Sequence, residues 1–359
     1  MPRLKGSVIE KNAPAVQWRW KIQFANHVSR LHLSPDGAAV AVATLAGEVA
    51  VLSTVNGDRL RDLPVHPFGA LDVAWSPDGG ALASAGHDGI VRVVNTASGA
   101  VLGEHHGPGW ASRVVWSNDG TRLAAAIGKD TVLIRRDGTE VGRFGQMPHT
   151  VTDLVWSTDD RKLGILTYGG VRWFGTGTPK PTPDRVFSWK GAPLRAAMSS
   201  TGKFMVHGNQ DNSVHVWRMS SADEMEMAGY PAKVEVLAWD RTGEWLAVGT
   251  VGFTPVWDCS GKGPSGRRAV VCHGPERRVT ALSWQRRGNA LLIGSGDATV
   301  HWYLPTKAKK AADLQPLGSI DIGSEVADLH FLHDDRLFVV ACSDGTVGVS
   351  ATDLPSTPV

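Results

Sequence analysis

Short segments that alternate apolar and polar residues recur along the whole 359-residue chain. Each is followed by a polar turn, a run of small residues, a second tight turn and a β-branched run. The clearest copy is LDVAWSPDGGALASAGHDGIVRVVNT at 71–96, and SRVVWSNDGTRLAAAIGKDTVLIR at 112–135 repeats it. Period-two alternation over five to seven residues predicts strands, and Gly, Asp and Asn between them predict turns that need positive φ or side-chain-to-backbone bonds. Helical 3.6 periodicity and heptads are absent. The residue before each SPDG-like turn marks the register: Leu33, Trp75, Trp116, Trp156, Met198, Trp239, Trp284 and Phe331. Eight large apolar residues spaced 40 to 47 apart define an internal repeat.

Each copy supplies three strands, and a further short one, such as VLGEHH or AVVCHG, lies between copies. That gives four antiparallel strands per repeat, a to d from the inside outward. These copies resemble WD40 repeats, and the resemblance covers nearly the whole chain. It implies an all-β propeller of four-stranded antiparallel blades around a channel. Eight blades are expected, and seven if one weak copy fails, within a single domain over 1–359. The literal Trp-Asp dipeptide occurs only at Trp257-Asp258, and Trp217 matches its Trp. His27, His66, His149 and His273 stand at the family's His position, and the turn Asp persists as Asp88, Asp130, Asp211, Asp297 and Asp344. The His–Asp–Ser/Thr–Trp network of the family is therefore expected to be incomplete in most blades.

The eighth copy provides strands a, b and c, and the sequence given then runs out. Ahead of the first copy, AVQWRWKIQF (15–24) alternates like a strand without a blade of its own. It is expected to serve as the outer strand of the last blade, hiding an edge that would otherwise be open.

In this geometry the d–a and b–c connections share one face, called the top, and the a–b and c–d connections the bottom. Long c–d loops at 175–184, 219–229, 259–268 and 304–316 decorate the bottom. The position three before the register residue reads Arg30, Asp72, Arg113, Asp153, Arg195, Val236, Ala281 and Asp328. Adjacent inner strands converge at the channel, so Asp328–Arg30–Asp72–Arg113–Asp153–Arg195 is expected to form a run of inter-blade ion pairs or, more plainly, a polar channel wall. Top-face connections collect Phe68, Trp110, Trp189, Tyr230 and Phe253 with Arg277 and Arg278, the residue types that dominate protein contacts. The alternative is that several of these rings pack between blades.

The sector 262–310 concentrates positive charge: Lys262, Arg267, Arg268, Arg277, Arg278, Arg286, Arg287, Lys307, Lys309 and Lys310 against only Glu276 and Asp297. A solvated face explains such a sector, and so does a polyanion site. Aromatic interleaving for base stacking is missing near Lys307–Lys310, which weighs against single-strand readout.

Over the whole chain, 37 Lys and Arg face 35 Asp and Glu, so overall charge points to no polyanionic partner. With 42% apolar residues the chain can bury a core, and no apolar run is long enough to span a membrane. The start has no secretory pattern, so a cytoplasmic location is expected. Three cysteines are too few for a disulfide framework, and Cys259 and Cys272 fall at opposite ends of a blade. Thirteen histidines raise the question of metal, but HExxH and CxxC spacings are absent, and adjacent pairs such as His105-His106 or Cys272-His273 point to opposite sheet faces. Repeated acids sit in turns, and G-x-S-x-G, P-loop and dinucleotide fingerprints lack a fitting context. The sequence thus points to a non-enzymatic protein-interaction scaffold without a cofactor. A metal-handling propeller using His and Cys, or one binding polyanions such as nucleic acid through the basic sector, is the alternative.

Overall fold

The computed structural model describes residues 13–177, 180, 182–308 and 312–354. Lys309 and Lys310 lie outside the described residues. Six four-stranded antiparallel sheets and one eight-stranded sheet make up the fold. The eight-stranded sheet is two four-stranded units that share one long strand, Val270–Trp284, with the short strand Asp313–Leu314 as the eighth. Counting it as two gives eight four-stranded units among the described residues. Their inner strands are Val28–Leu33, Ala70–Trp75, Ala111–Trp116, Asp153–Trp156, Pro193–Met198, Val236–Trp239, the end of Val270–Trp284, and Val326–Phe331. Each inner strand packs on the next, and Val326–Phe331 packs on Val28–Leu33, so the units close into a ring.

The small-residue runs are the second strands. Ala39–Thr44 and Ala81–Gly86 are buried at every position. Such a strand has a neighbouring unit on both faces, so small and β-branched side chains fill it and the usual polar face disappears. The SPDG-like turns share one mechanism. The hydroxyls of Ser34, Ser76, Ser117 and Ser157 donate to Asp36, Asp78, Asp119 and Asp159 at 2.5–2.7 Å. The same serine oxygens accept the amide N–H five residues on, as in Ala39 and Ala81 at 2.9 Å.

The register tryptophans join neighbouring units. The indole N–H of Trp116 donates to the Ala74 carbonyl, that of Trp156 to Val115, Trp239 to Ala197 and Trp284 to Ala238, at 3.0–3.2 Å. Each acceptor directly precedes the register residue of the unit before. Large apolar residues at this position thus fill the interface, and where the residue is Trp it also adds a hydrogen bond to a carbonyl of the neighbouring inner strand. Trp75 breaks the pattern, its Nε1 being buried without a partner.

At the closure, Trp20–Gln23 pairs antiparallel with Thr346–Ala351, Trp20 opposite Val349 and Gln23 opposite Thr346. This strand is shorter than 15–24. Residues 14–16 instead run along the edge of the seventh unit, where Val16 N–H donates to Asp321 and Asp321 N–H to Pro14, both at 2.9 Å. The Trp20 indole donates to the Thr54 carbonyl at 2.9 Å, tying the last unit to the first. Gly348 has no room for a side chain, since a Cβ there lies 2.6 Å from the Trp18 ring.

Two features differ from the sequence expectation. The outer strand of the sixth unit and the inner strand of the seventh are one continuous segment, Val270–Trp284. Its corner at Gly274 has φ +150°, and a Cβ there falls 2.6 Å from the Tyr303 hydroxyl, which donates to the His273 carbonyl. The 304–316 segment is also more than a bottom loop. Asp313–Leu314 pairs parallel with Val271 and Cys272, adding a fifth strand that covers the outer edge of the sixth unit.

Candidate interaction face and charged channel

The d–a and b–c connections lie on one face, as their mutual backbone bonds show: Leu45 N–H donates to His27, His87 N–H to Gly69 and Gly128 N–H to Trp110. On this top face an arc of apolar side chains projects from the first four units. Phe68 is 83% exposed, Trp110 63%, Val65 55%, Tyr168 50% and Leu45 41%. Phe68 and Trp110 are joined through His87, whose Nδ1 lies 2.7 Å from the Phe68 carbonyl oxygen and whose ring meets Trp110 edge-on at 4.6 Å. His149 packs edge-on against Tyr168 at 5.2 Å. Phe68 sits at φ +75°. That region costs a non-glycine residue on the order of 1–2 kcal/mol, so an exposed aromatic ring is carried there at a backbone cost that its own packing does not offset.

Sequence reasoning assigned the other rings differently. Tyr230 is buried, a correction to its place on a contact surface: its hydroxyl accepts the Trp257 indole N–H at 3.2 Å. Trp189 is half-buried with its ring 3.7 Å from that of His215, and Phe253 is half-buried too. Arg277 and Arg278 are exposed, and Arg278 pairs with Glu235 at 2.6 Å. Tyr168, Leu45 and Val65 were missed. For Leu45 and Tyr168 the signal was a large apolar residue in a b–c turn where the second copy carries His-Asp-Gly, and Val65, ahead of His66 in a d–a connection, gave none.

The ring of alternating charge is formed over most of its length. Arg30 lies 3.4 Å from Asp72 and 3.9 Å from Asp328. Arg113 lies 3.1 Å from Asp72 and 2.7 Å from Asp153. The three carboxylates are buried, and each also accepts an N–H from the inner strand of the next unit: Leu31 to Asp328, Val114 to Asp72 and Ala196 to Asp153, at 2.9–3.0 Å. Arg195 is the exception. It makes no ion pair or hydrogen bond through its side chain among the described residues. Burial opposes ionisation of Asp153, but Arg113, Arg195 and two backbone N–H groups hold its carboxyl below the usual range. Asp328 behaves likewise: burial acts against it, and His330, Arg30 and the Leu31 N–H outweigh burial. Burial also acts against the Arg113 charge, and Asp153 and Asp72 more than compensate, raising its pKa.

The channel these residues line is a cavity of about 1210 Å³ that also meets Trp110, Lys129, Lys233 and Arg278. On the bottom face, the basic sector is partly engaged. Arg267 folds back onto Asp258 and donates to Ser260 at 2.9 Å. Lys262, Arg268, Arg286, Arg287 and Lys307 are exposed.

The His–Asp network forms in the second unit, where His66 Nδ1 lies 3.0 Å from Asp88 and Nε2 lies 2.8 Å from Ser84. Elsewhere it is rebuilt from other residues. Asp211, Ser213 and His215 link in the fifth unit, and Asp297, Thr299 and His301 in the seventh. His273 pairs instead with Asp313 at 2.9 Å. Among the described residues no group of three or more His, Cys, Asp or Glu is placed to hold a metal. Cys259, Cys272 and Cys342 are buried free thiols, each pushed up to about 12 chiefly by burial.

A family model described as WD domain, G-beta repeat, matches residues 57–95, the segment that contains the His66–Asp88–Ser84 network. Residues 57–95 thus carry a WD40 repeat. Curated relatives carry the name eukaryotic translation initiation factor 3 subunit I. The protein from Pyricularia oryzae is 24% identical over 177 residues, covering 46% of this chain and 50% of that protein. The one from Emericella nidulans is 23% identical over 225 residues, 59% of each. The chain therefore matches only half to three-fifths of the length of these relatives. Among solved structures, the computationally designed Ika8 protein superimposes with a TM-score of 0.78 at 20% identity, covering 94% of this chain and all of that one. That likeness speaks to the fold alone.

Proposed function

We propose that this protein is a non-enzymatic scaffold that binds other proteins, and that the apolar arc on the top of the first four units is a principal contact surface. The observation that carries this reading is Phe68: a ring 83% exposed on a backbone at φ +75°, next to the exposed Trp110. Exposed aromatics flanked by a polar rim are the usual anchors of protein interfaces, each worth about 2 kcal/mol or more when truncated. The relatives are named as a subunit of an initiation factor, and membership of a multi-protein assembly, with the cytoplasmic location that translation implies, is carried here as part of the proposal. No helix among the described residues is long and apolar enough to cross a membrane.

Affinity capture with quantitative mass spectrometry tests the reading. Wild type is compared with Phe68→Glu/Trp110→Glu and with a bottom-face control, Arg286→Glu/Arg287→Glu. Specific partners lost with the first variant and kept with the second are expected. Partners that follow the second variant, and competition by RNA or DNA for that surface, move the function to the basic sector.

A further inference from the structure

The charged ring has one open end. Arg30 stands between Asp328 and Asp72, and Arg113 between Asp72 and Asp153. Arg195 has Asp153 on one side, but the next two inner strands carry Val236 and Ala281 at the same register before Asp328 resumes the pattern. Asp153 is already committed, one oxygen to the Arg113 Nε at 2.7 Å and the other to the Ala196 N–H at 2.9 Å. The Arg195 guanidinium is thus left in the channel wall without a hydrogen-bond acceptor, beside a second guanidinium and next to a small apolar gap.

We propose that the channel holds an oxyanion-binding subsite centred on Arg195, taking a carboxylate or phosphate group over the floor formed by Val236 and Ala281. The geometry fits this class of ligand. A guanidinium presents a planar fork to two oxygens, and the cavity of about 1210 Å³ leaves room for an oxyanion attached to a larger molecule. Of the other cations of the wall, Lys233 and Arg278 both pair with Glu235, at 2.9 and 2.6 Å, while Lys129 is exposed beside Asp130. Glu325, Asp130 and Asp328 also line the channel and restrict the favourable position to the Arg195 side. Repulsion from Arg113, with burial adding to it, lowers Arg195 to about 10, although Asp153 offsets part of this. A bound anion relieves that excess of positive charge. The subsite stands on the channel geometry and is independent of which face meets a partner.

Calorimetric titration of the whole chain with sodium phosphate and, separately, sodium acetate, at ionic strength held constant with chloride, tests it. Saturable binding in the millimolar range is expected, weakened roughly tenfold or more, ~1.4 kcal/mol, in Arg195→Gln. Binding of phosphate alone marks a phosphoryl ligand, and binding of acetate alone marks a carboxylate. Crystals of the wild type soaked in either anion provide the second readout, with density at the Arg195 fork expected even if the variant fails to fold. Absence of saturable binding by both anions, equal binding by Arg195→Gln, or density only elsewhere overturns the proposal.

Discussion

Replacing Asp153 by Asn probes the inter-blade charges most sharply. The substitution keeps shape and leaves an oxygen to accept the Ala196 N–H, now at 2.9 Å. It removes the charge that faces the Arg113 Nε at 2.7 Å. At that distance and an effective dielectric near 20, the attraction is about 6 kcal/mol. Several kcal/mol of this is returned, because a carboxylate no longer has to be kept from water. Arg113 also keeps Asp72 at 3.1 Å, so it is not stranded completely. The net loss is about 2–3 kcal/mol, below the roughly 3–5 kcal/mol of a fully broken buried pair. Equilibrium urea unfolding, followed by tryptophan fluorescence and combined with Arg113→Met in a double-mutant cycle, gives both numbers needed. A coupling energy above about 1 kcal/mol is expected for groups in direct contact. Asp153→Asn within about 0.5 kcal/mol of wild type, the range of ordinary surface changes, refutes the argument that these charges hold the units in register.

Other consequences follow from the same geometry. Phe68→Gly removes the positive-φ cost at a site with little packing to lose, so the free protein gains up to about 1 kcal/mol; a lower denaturation midpoint contradicts the strain reading. The tryptophan bonds predict a contrast between two identical substitutions: Trp116→Phe loses the bond to the Ala74 carbonyl and costs about 0.5–1.5 kcal/mol more than Trp75→Phe, whose indole N–H has no partner. Acid lability should begin at histidines. Burial lowers His32 and His301 to about 4 and His207 to about 3, from an ordinary 6.5. His207 also accepts the Trp217 indole N–H on Nε2 at 3.0 Å, which favours its neutral form. The unfolded chain therefore binds more protons between pH 6.5 and about 4, and stability present above 6.5 falls with pH by up to about 1.4 kcal/mol per unit for each histidine. Melting temperatures that stay level from pH 7.5 to 5 speak against this.

What could be read in advance was what the repeat writes many times. The register residue, the small-residue second strand and the Ser–Asp turn recur because every unit solves the same packing problem. The Arg–Asp alternation was legible because equivalent inner-strand positions converge at a channel. Features that occur once were hidden. Nothing in a single copy shows that Asp153 spends both oxygens on Arg113 and Ala196, leaving Arg195 without a bond. Tyr230 occupies a connection like that of Trp110, yet its hydroxyl meets the Trp257 indole and its ring turns inward. The direction of a ring on a connecting segment depends on the partner across the interface, which spacing does not encode. The parallel addition of Asp313–Leu314 likewise follows from an open edge on the sixth unit, a property of assembled sheets.

The account depends on a ring closed by the first and last strands. Gln23→Cys/Thr346→Cys measures this directly, because the two positions face each other across the closing pair. The native cysteines are buried with thiols near 12 and do not compete as thiolates. Mild oxidation of the folded monomer is predicted to form the 23–346 disulfide to completion, read as a mass loss and a shifted mobility without reductant. A pair that stays reduced in the folded protein, or that links only between molecules, contradicts the closed ring.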